Sequence, residues 1–265
     1  ANLIFVPFNA LTLDKGELKT FLGHQVSISL VPSLIGKSSH KSDTRVASSY
    51  VGVGNPQYAP STQLASASNI FTVRSAMMAK DLAQLPPLPE TEIEIRNAAK
   101  QFKDAEVFLG SDASELNFRL SKFYKADVIH IATHGLISGE IDASRLSSPS
   151  LALTFNSAPD NELEDGLLTS LEVAELDIQA QSVILSACRT MSDRGEPNAG
   201  FSGLTAAFLS AGAKSVLATQ WPVETNSAEK FISIFTRKLA SSSEGQSKAL
   251  KYSYKNFASD PNLSP

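Results

Sequence analysis

The sequence predicts an α/β fold of three layers, α/β/α, with helices on both faces of a mostly parallel central sheet. Three observations predict it. From Glu106 onward, short apolar runs alternate with segments of helical spacing, the order that βαβ units give. Two of the runs are apolar almost throughout and rich in Val and Ile, as strands buried on both faces are: D-V-I-H-I-A-T-H-G at Asp127–Gly135 and S-V-I-L-S-A-C-R-T at Ser182–Thr190. Both end in small residues with a reactive side chain at the tip, and ligands of open α/β sheets sit at the carboxyl ends of strands.

The elements follow in order. Leu3–Val6 is a short apolar strand closed by Pro7, and Asp14–Leu22 is a short helix stopped by Gly23. Val26–Val31 alternates apolar residues with Ser, as a strand does. Ser33–Ser49 lacks periodicity and is a loop. Tyr50–Val53 is a third strand, with a turn at Gly54–Pro56. G-V-G-N-P lacks the third glycine of a dinucleotide fingerprint, and no helical pattern follows it. Ser61–Leu82 is Ala-rich and partly helical. The proline cluster at Leu85–Glu90 then divides an N-terminal subregion, 1–85, from a second half, 86–265, within a single domain.

Beyond that cluster, Ile93, Ile95, Ala98, Ala99 and Phe102 predict a helix over Thr91–Phe102. Glu106–Leu109 reads as a strand, and Asp112–Tyr124 as a helix capped by Ser111 or Asp112. The His134 strand follows, then a loop at Gly139–Pro149, a strand at Leu151–Phe155 and a loop at Ser157–Gly166. Thr169 opens a short helix, with Glu172 three residues on as in a capping box. After the Cys188 strand come a glycine-bearing loop, an apolar helix at Phe201–Ala211 and a buried strand at Ser215–Thr219. Helices at Thr225–Leu239 and Gln246–Phe257 end the pattern.

Composition narrows the function classes. The 265 residues are 42% hydrophobic and 19% charged, ordinary for a folded globular chain with a sizeable core. A net charge of −4 without a basic cluster argues against nucleic-acid binding. One cysteine excludes an intramolecular disulfide and suits a reducing compartment, so a cytoplasmic location is expected. No apolar run approaches the roughly 18 residues of a membrane span. The chain starts at Ala1 rather than Met, as a fragment of a longer chain would.

His134, followed by Gly135, ends one strand, and Cys188, the sole cysteine, ends another. A cysteine attacks a carbonyl as thiolate, and an imidazole can take its proton and later protonate the leaving group. The N–H groups of Gly135 and Cys188 suit an oxyanion hole, and Ser186 and Ala187 leave the floor of a cleft open. The competing readings are a small buried hydrophobe at Cys188 and a plain hydrogen-bonded group at His134. His130 and His134 stand four apart as two zinc ligands would, but no third or fourth ligand stands at a recognisable spacing, so neither metal nor cofactor is expected. His130 packs behind the site or orients it.

The boxes H-G and S-A-C-x-T resemble the His-Gly and Ala-Cys boxes of caspase-like peptidases, and most closely those of the CHAT family, usually found beside TPR repeats in bacteria. V-P-S at Val31–Ser33, V-G-N-P at Val53–Pro56, L-P-x-x-x-x-E-I at Leu88–Ile95, D-G-L-L-T at Asp165–Thr169, G-L-T-A-A-F-L-S-A-G-A at Gly203–Ala213 and Q-W-P-V at Gln220–Val223 follow in the family's order. The resemblance implies a caspase-like α/β/α domain and a cysteine endopeptidase acting on a protein or peptide. His134 would be base and acid, Cys188 the nucleophile, and Gly135 with Cys188 the oxyanion hole. Ser186, Arg189, Trp221 and Glu224 would face the substrate, and upstream TPR repeats or another regulatory partner would control access. Many relatives have an acid where this chain has Arg189, and an Asp where it has Thr225, one place after Glu224. The other function open to such a chain is an interaction scaffold without catalysis.

Overall fold

The computed structural model describes residues 12–15, 18–26, 45–58, 81–120, 122–136, 148–155, 165–186, 199–219 and 225–259. The strand expected at Leu3–Val6, most of those expected at Val26–Val31 and 61–82, and the loop after Cys188 lie outside the described residues.

The first described elements correct an expectation. In place of a helix over Asp14–Leu22, β1 (Thr12–Lys15) and β2 (Leu18–Phe21) pair antiparallel, with Lys15 opposite Leu18, and only the four-residue α1 (Leu22–Gln25) is helical. Gly16 between two short runs is a hairpin signal, and it outweighs the helical composition around it.

The central sheet is made of β3 (Ser49–Pro56), β4 (Asp104–Gly110), β5 (Val128–Ala132), β9 (Ser182–Leu185) and β10 (Val216–Ala218). Its order is β10-β9-β5-β3-β4, and every pairing in it is parallel. Chain order therefore reverses at β3 and β5, which gives the sheet a switch point between those two strands. The turn expected at Gly54–Pro56 is a register shift inside β3, where Asn55 adopts φ 48°.

Side chains alternate between two helical layers, as the two-residue period of a strand requires. Val51, Val53, Ile129, Ile131, Val183 and Leu185 pack on one face with Phe118, Val173, Leu204 and Phe208. These last come from α3 (Glu115–Leu120), α4 (Ser170–Ala174) and α5 (Ala199–Ser210). Tyr50, Val128 and Ile184 pack on the other face with Ala98, Ile232, Phe235, Leu239 and Ala249. That layer holds α2 (Pro89–Ala99), α6 (Thr225–Ser241) and α7 (Gln246–Ala258). The three expected layers are present.

Two helices differ from expectation. The helix expected over Thr91–Phe102 runs Pro89–Ala99, and in it the apolar Ile93 is 58% exposed while Thr91, Glu94, Ile95 and Ala98 are buried. Positions 91, 94, 95, 98 and 102 share the i, i+3, i+4, i+7 stripe, so a strict wheel turns a carboxylate inward. The helix expected over Asp112–Tyr124 is split into α3 and a 3-10 turn at Lys122–Lys125. Its cap is Ser114, whose Oγ accepts from the Asn117 amide at 3.3 Å, because residues 109–113 are used in a turn at Gly110 (φ 59°). The capping box at Thr169 and Glu172 forms as read.

Beside the main sheet, β6 (Gly135–Leu136), β7 (Ser150–Ala152) and β8 (Leu167–Thr169) form an antiparallel sheet. It closes over Tyr58, Leu82, Leu85, Leu136 and Phe155. At the opposite end, Asp127 ties three strands together. Its Oδ2 accepts from the Ser48 amide (2.8 Å) and the Ser49 amide (3.2 Å), and its Oδ1 from Gln181 Nε2 (2.9 Å).

Candidate active site

β5 ends at Ala132 on the switch point, and His134 and Gly135 follow it. Where a strand tip suggests an accessible imidazole, His134 is only 1% exposed. β6 begins directly after it and carries the chain into the small sheet. Beside β5, the register of β9 continues one residue past its end, with the Ser186 amide donating to Ile131 O at 2.9 Å. The structure thus brings His134, Gly135 and Ser186 to one end of the β5–β9 pair. Cys188, Arg189, Trp221 and Glu224 lie outside the described residues.

Among the described residues the His134 ring has one hydrogen-bond partner. Its Nε2 is 2.8 Å from the carbonyl oxygen of Pro86. A carbonyl only accepts, so Nε2 carries the hydrogen and Nδ1 is left with a lone pair. Among the described residues no partner reaches Nδ1. The ring leans on Tyr58, centroids 5.5 Å apart at 42°. Burial pushes the Tyr58 phenol up to about 12, so it stays protonated and donates to Thr133 Oγ1 at 2.8 Å. Thr133 Oγ1 in turn donates to Ala152 O. This chain fixes the two residues on the N-terminal side of Gly135. A buried imidazole tethered at one nitrogen and open at the other can take a proton at a defined point.

Gly135 stands opposite Leu151, and the Ala152 amide donates to His134 O at 2.9 Å. That bond flanks a non-hydrogen-bonded pair, so the Gly135 N–H is directed away from β7. Such an N–H is available to a developing oxyanion.

Sequence reasoning missed two partners. Pro86 acts through its backbone, which leaves no side-chain signature. Glu94 acts through a carboxylate: its Oε1 is 2.8 Å from Nε2 of His130, and both side chains are buried. Nδ1 of His130 is 2.9 Å from the Tyr50 hydroxyl, and Nε2 is 3.4 Å from Ser186 Oγ. A carboxylate only accepts, so Nε2–H points at Glu94; burial, with the charge of Glu94, pushes the Tyr50 phenol beside Nδ1 well above its usual range. The inward charge on the α2 stripe was the signal that could have found Glu94. His130 and His134 are held by different partners.

A family model described as CHAT domain matches residues 1–264. Tetratricopeptide repeat protein 28 of Homo sapiens is 26% identical over 98% of this chain, and its Mus musculus counterpart is likewise 26% identical over 98%. The chain spans about a ninth of the length of these curated relatives, 11% of each.

Proposed function

Because the chain belongs to the CHAT domain family, we propose that it is a caspase-like cysteine endopeptidase working through Cys188 and His134. The observation that carries the proposal is the His134 ring, buried, tethered by Nε2–H to Pro86 O and without a partner at Nδ1 among the described residues. The Cys188 thiol gives its proton to Nδ1, and the thiolate adds to the carbonyl carbon of a peptide bond. The N–H groups of Gly135 and Cys188 stabilise the oxyanion. As the C–N bond breaks, His134 returns the proton to the leaving amine and a thioester remains. Water then attacks the thioester with His134 as base, releasing the acid and restoring the thiol.

Ser186, Arg189, Trp221 and Glu224 line the substrate cleft in this proposal. Residues 1–265 act as one domain, in which 1–85 supplies β3 and 86–265 the reactive groups. The relatives are named as tetratricopeptide repeat proteins, which supports such repeats as the regulatory element in this reading, and a reducing cytoplasm suits the free thiol. No helix among the described residues is long and apolar enough to cross a membrane.

A second reading, an interaction scaffold, is favoured by one feature. Leu116, Leu120 and Leu171 are exposed on α3 and α4, beside the Arg119–Glu172 ion pair. The two readings separate in a cleavage assay on a diverse peptide library, with wild type and Cys188→Ala in parallel, alone and with the tetratricopeptide-repeat partner. Cleavage that disappears in the variant supports the peptidase. No cleavage by the wild type in either setting supports the scaffold.

A further inference from the structure

One imidazole stands in β5 and a second two residues past its end, and a single stretch of chain supplies an acceptor to each. Pro86 O takes Nε2–H of His134, and eight residues later Glu94 Oε1 takes Nε2–H of His130, both at 2.8 Å. The second contact is the deeper. His130 has no exposed surface, and the Tyr50 hydroxyl meets its Nδ1 from β3. α2 lies so close to β3 here that a Cβ on Gly52 would come within 2.6 Å of Ile95 Cγ2. From the end of β9, Ser186 Oγ lies 3.4 Å from the same His130 nitrogen, a longer, shared acceptor of the hydrogen that Glu94 takes at 2.8 Å. From α6, Glu229 is turned to Asn97 at 2.9 Å, so its charge is engaged elsewhere. A buried carboxylate and imidazole are costly beside an apolar pair of equal volume. Their geometry gives them a use.

We propose that Glu94 and His130 are positioning residues for the thiol chemistry. Their bond pins α2 to β5. At one end it fixes the Pro86 carbonyl on His134, and at the other, through Ser186, the chain two residues ahead of Cys188. The proposal rests on the reading of Cys188 and His134 as a reacting pair.

Cys188 is the sole cysteine, so alkylation of the intact chain by iodoacetamide reports one thiol without any substrate. The rate is measured against pH for wild type, His134→Ala, Glu94→Ala, Glu94→Met and Glu94→Gln, with circular dichroism showing which variants fold. In wild type the inflection lies below the free-thiol value of about 8.5, and His134→Ala raises it to that value. Glu94→Ala raises it too, slowing alkylation near neutral pH by about tenfold or more, as a small misplacement of a reacting group does. Glu94→Met fills the space without an acceptor and behaves as Glu94→Ala does, which keeps the test open if the smaller side chain prevents folding. Glu94→Gln keeps a carbonyl oxygen for His130 and restores the wild-type profile. A folded Ala or Met variant with the wild-type profile overturns the positioning role alone. A wild-type inflection at the free-thiol value, unmoved by His134→Ala, overturns the reacting pair and this proposal with it.

Discussion

Glu115→Gln tests the electrostatics of the helical layer that holds α3, α4 and α5. Glu115 opens α3 with its side chain 1% exposed. Its Oε2 accepts from the Gly166 amide at 2.9 Å, while among the described residues no partner reaches Oε1. Burial first, and then the charges of Asp165 and Glu172, push its carboxyl up from 4.5 to about 9; the Gly166 amide and Arg119 pull weakly the other way. The native state therefore holds a proton that the unfolded chain releases near its ordinary value. The stabilising contribution is complete below that value, falls as pH rises and is gone above the folded one. Each pH unit in that window is worth about 1.4 kcal/mol, so wild type at neutral pH has lost about 3 kcal/mol. Glutamine keeps an oxygen for the Gly166 amide and cannot ionise. Glu115→Gln should match wild type near the unfolded value and exceed its stability by about 3 kcal/mol at neutral pH. Urea unfolding of both proteins at several pH values measures the difference, in which all other titrating groups cancel. A difference that stays constant across the window would refute the reasoning.

Three further outcomes are expected. Asp127 is pushed up by burial, but hydrogen bonds from the Ser48 amide, Gln181 and the Ser49 amide outweigh this and hold its carboxyl below the usual range. Its contribution is therefore present above the unfolded value of 3.8 and lost as pH falls through the folded one; Asp127→Ala should flatten the acid limb of a stability–pH curve. Gly212 has φ 113°, and a Cβ there would lie 2.3 Å from Ile178 O, so Gly212→Ala should cost about 3 kcal/mol or more in urea midpoints. Within α2, Ile95→Ala should cost about 3 kcal/mol, because Ile95 is fully buried. Ile93→Ala, at an exposed position, should stay within about 0.5 kcal/mol.

Strands buried on both faces announce themselves, which is why β5 and β9 were legible: every residue in them is buried, and continuous Val/Ile runs have few other uses. The capping box at Thr169 was legible because it is a local contact between residues three apart. The short β6 and β8 were not, since two- and three-residue strands carry no period of their own and exist through their pairing with β7. The site was legible in its reactive side chains and opaque in what holds them. His134 could be named from H-G, but its burial depends on Tyr58 and Pro86, 76 and 48 positions away, and one of these acts through its backbone. Glu94 was hidden by a reading that sorted α2 by residue type; the angular position on the helix decided its direction.

A carbonyl oxygen has no side chain to delete. Any substitution at position 86 leaves that oxygen in the chain, so mutational scanning will pass over the one group that sets the tautomer of His134. What matters there is displacement. Moving the Leu85–Pro89 strand of chain by about 1 Å would stretch a 2.8 Å contact beyond hydrogen-bonding range while every residue kept its identity. Insertions or deletions in that proline cluster, rather than replacements, are the changes to which the imidazole is sensitive. Its length is the conserved quantity to look for among relatives.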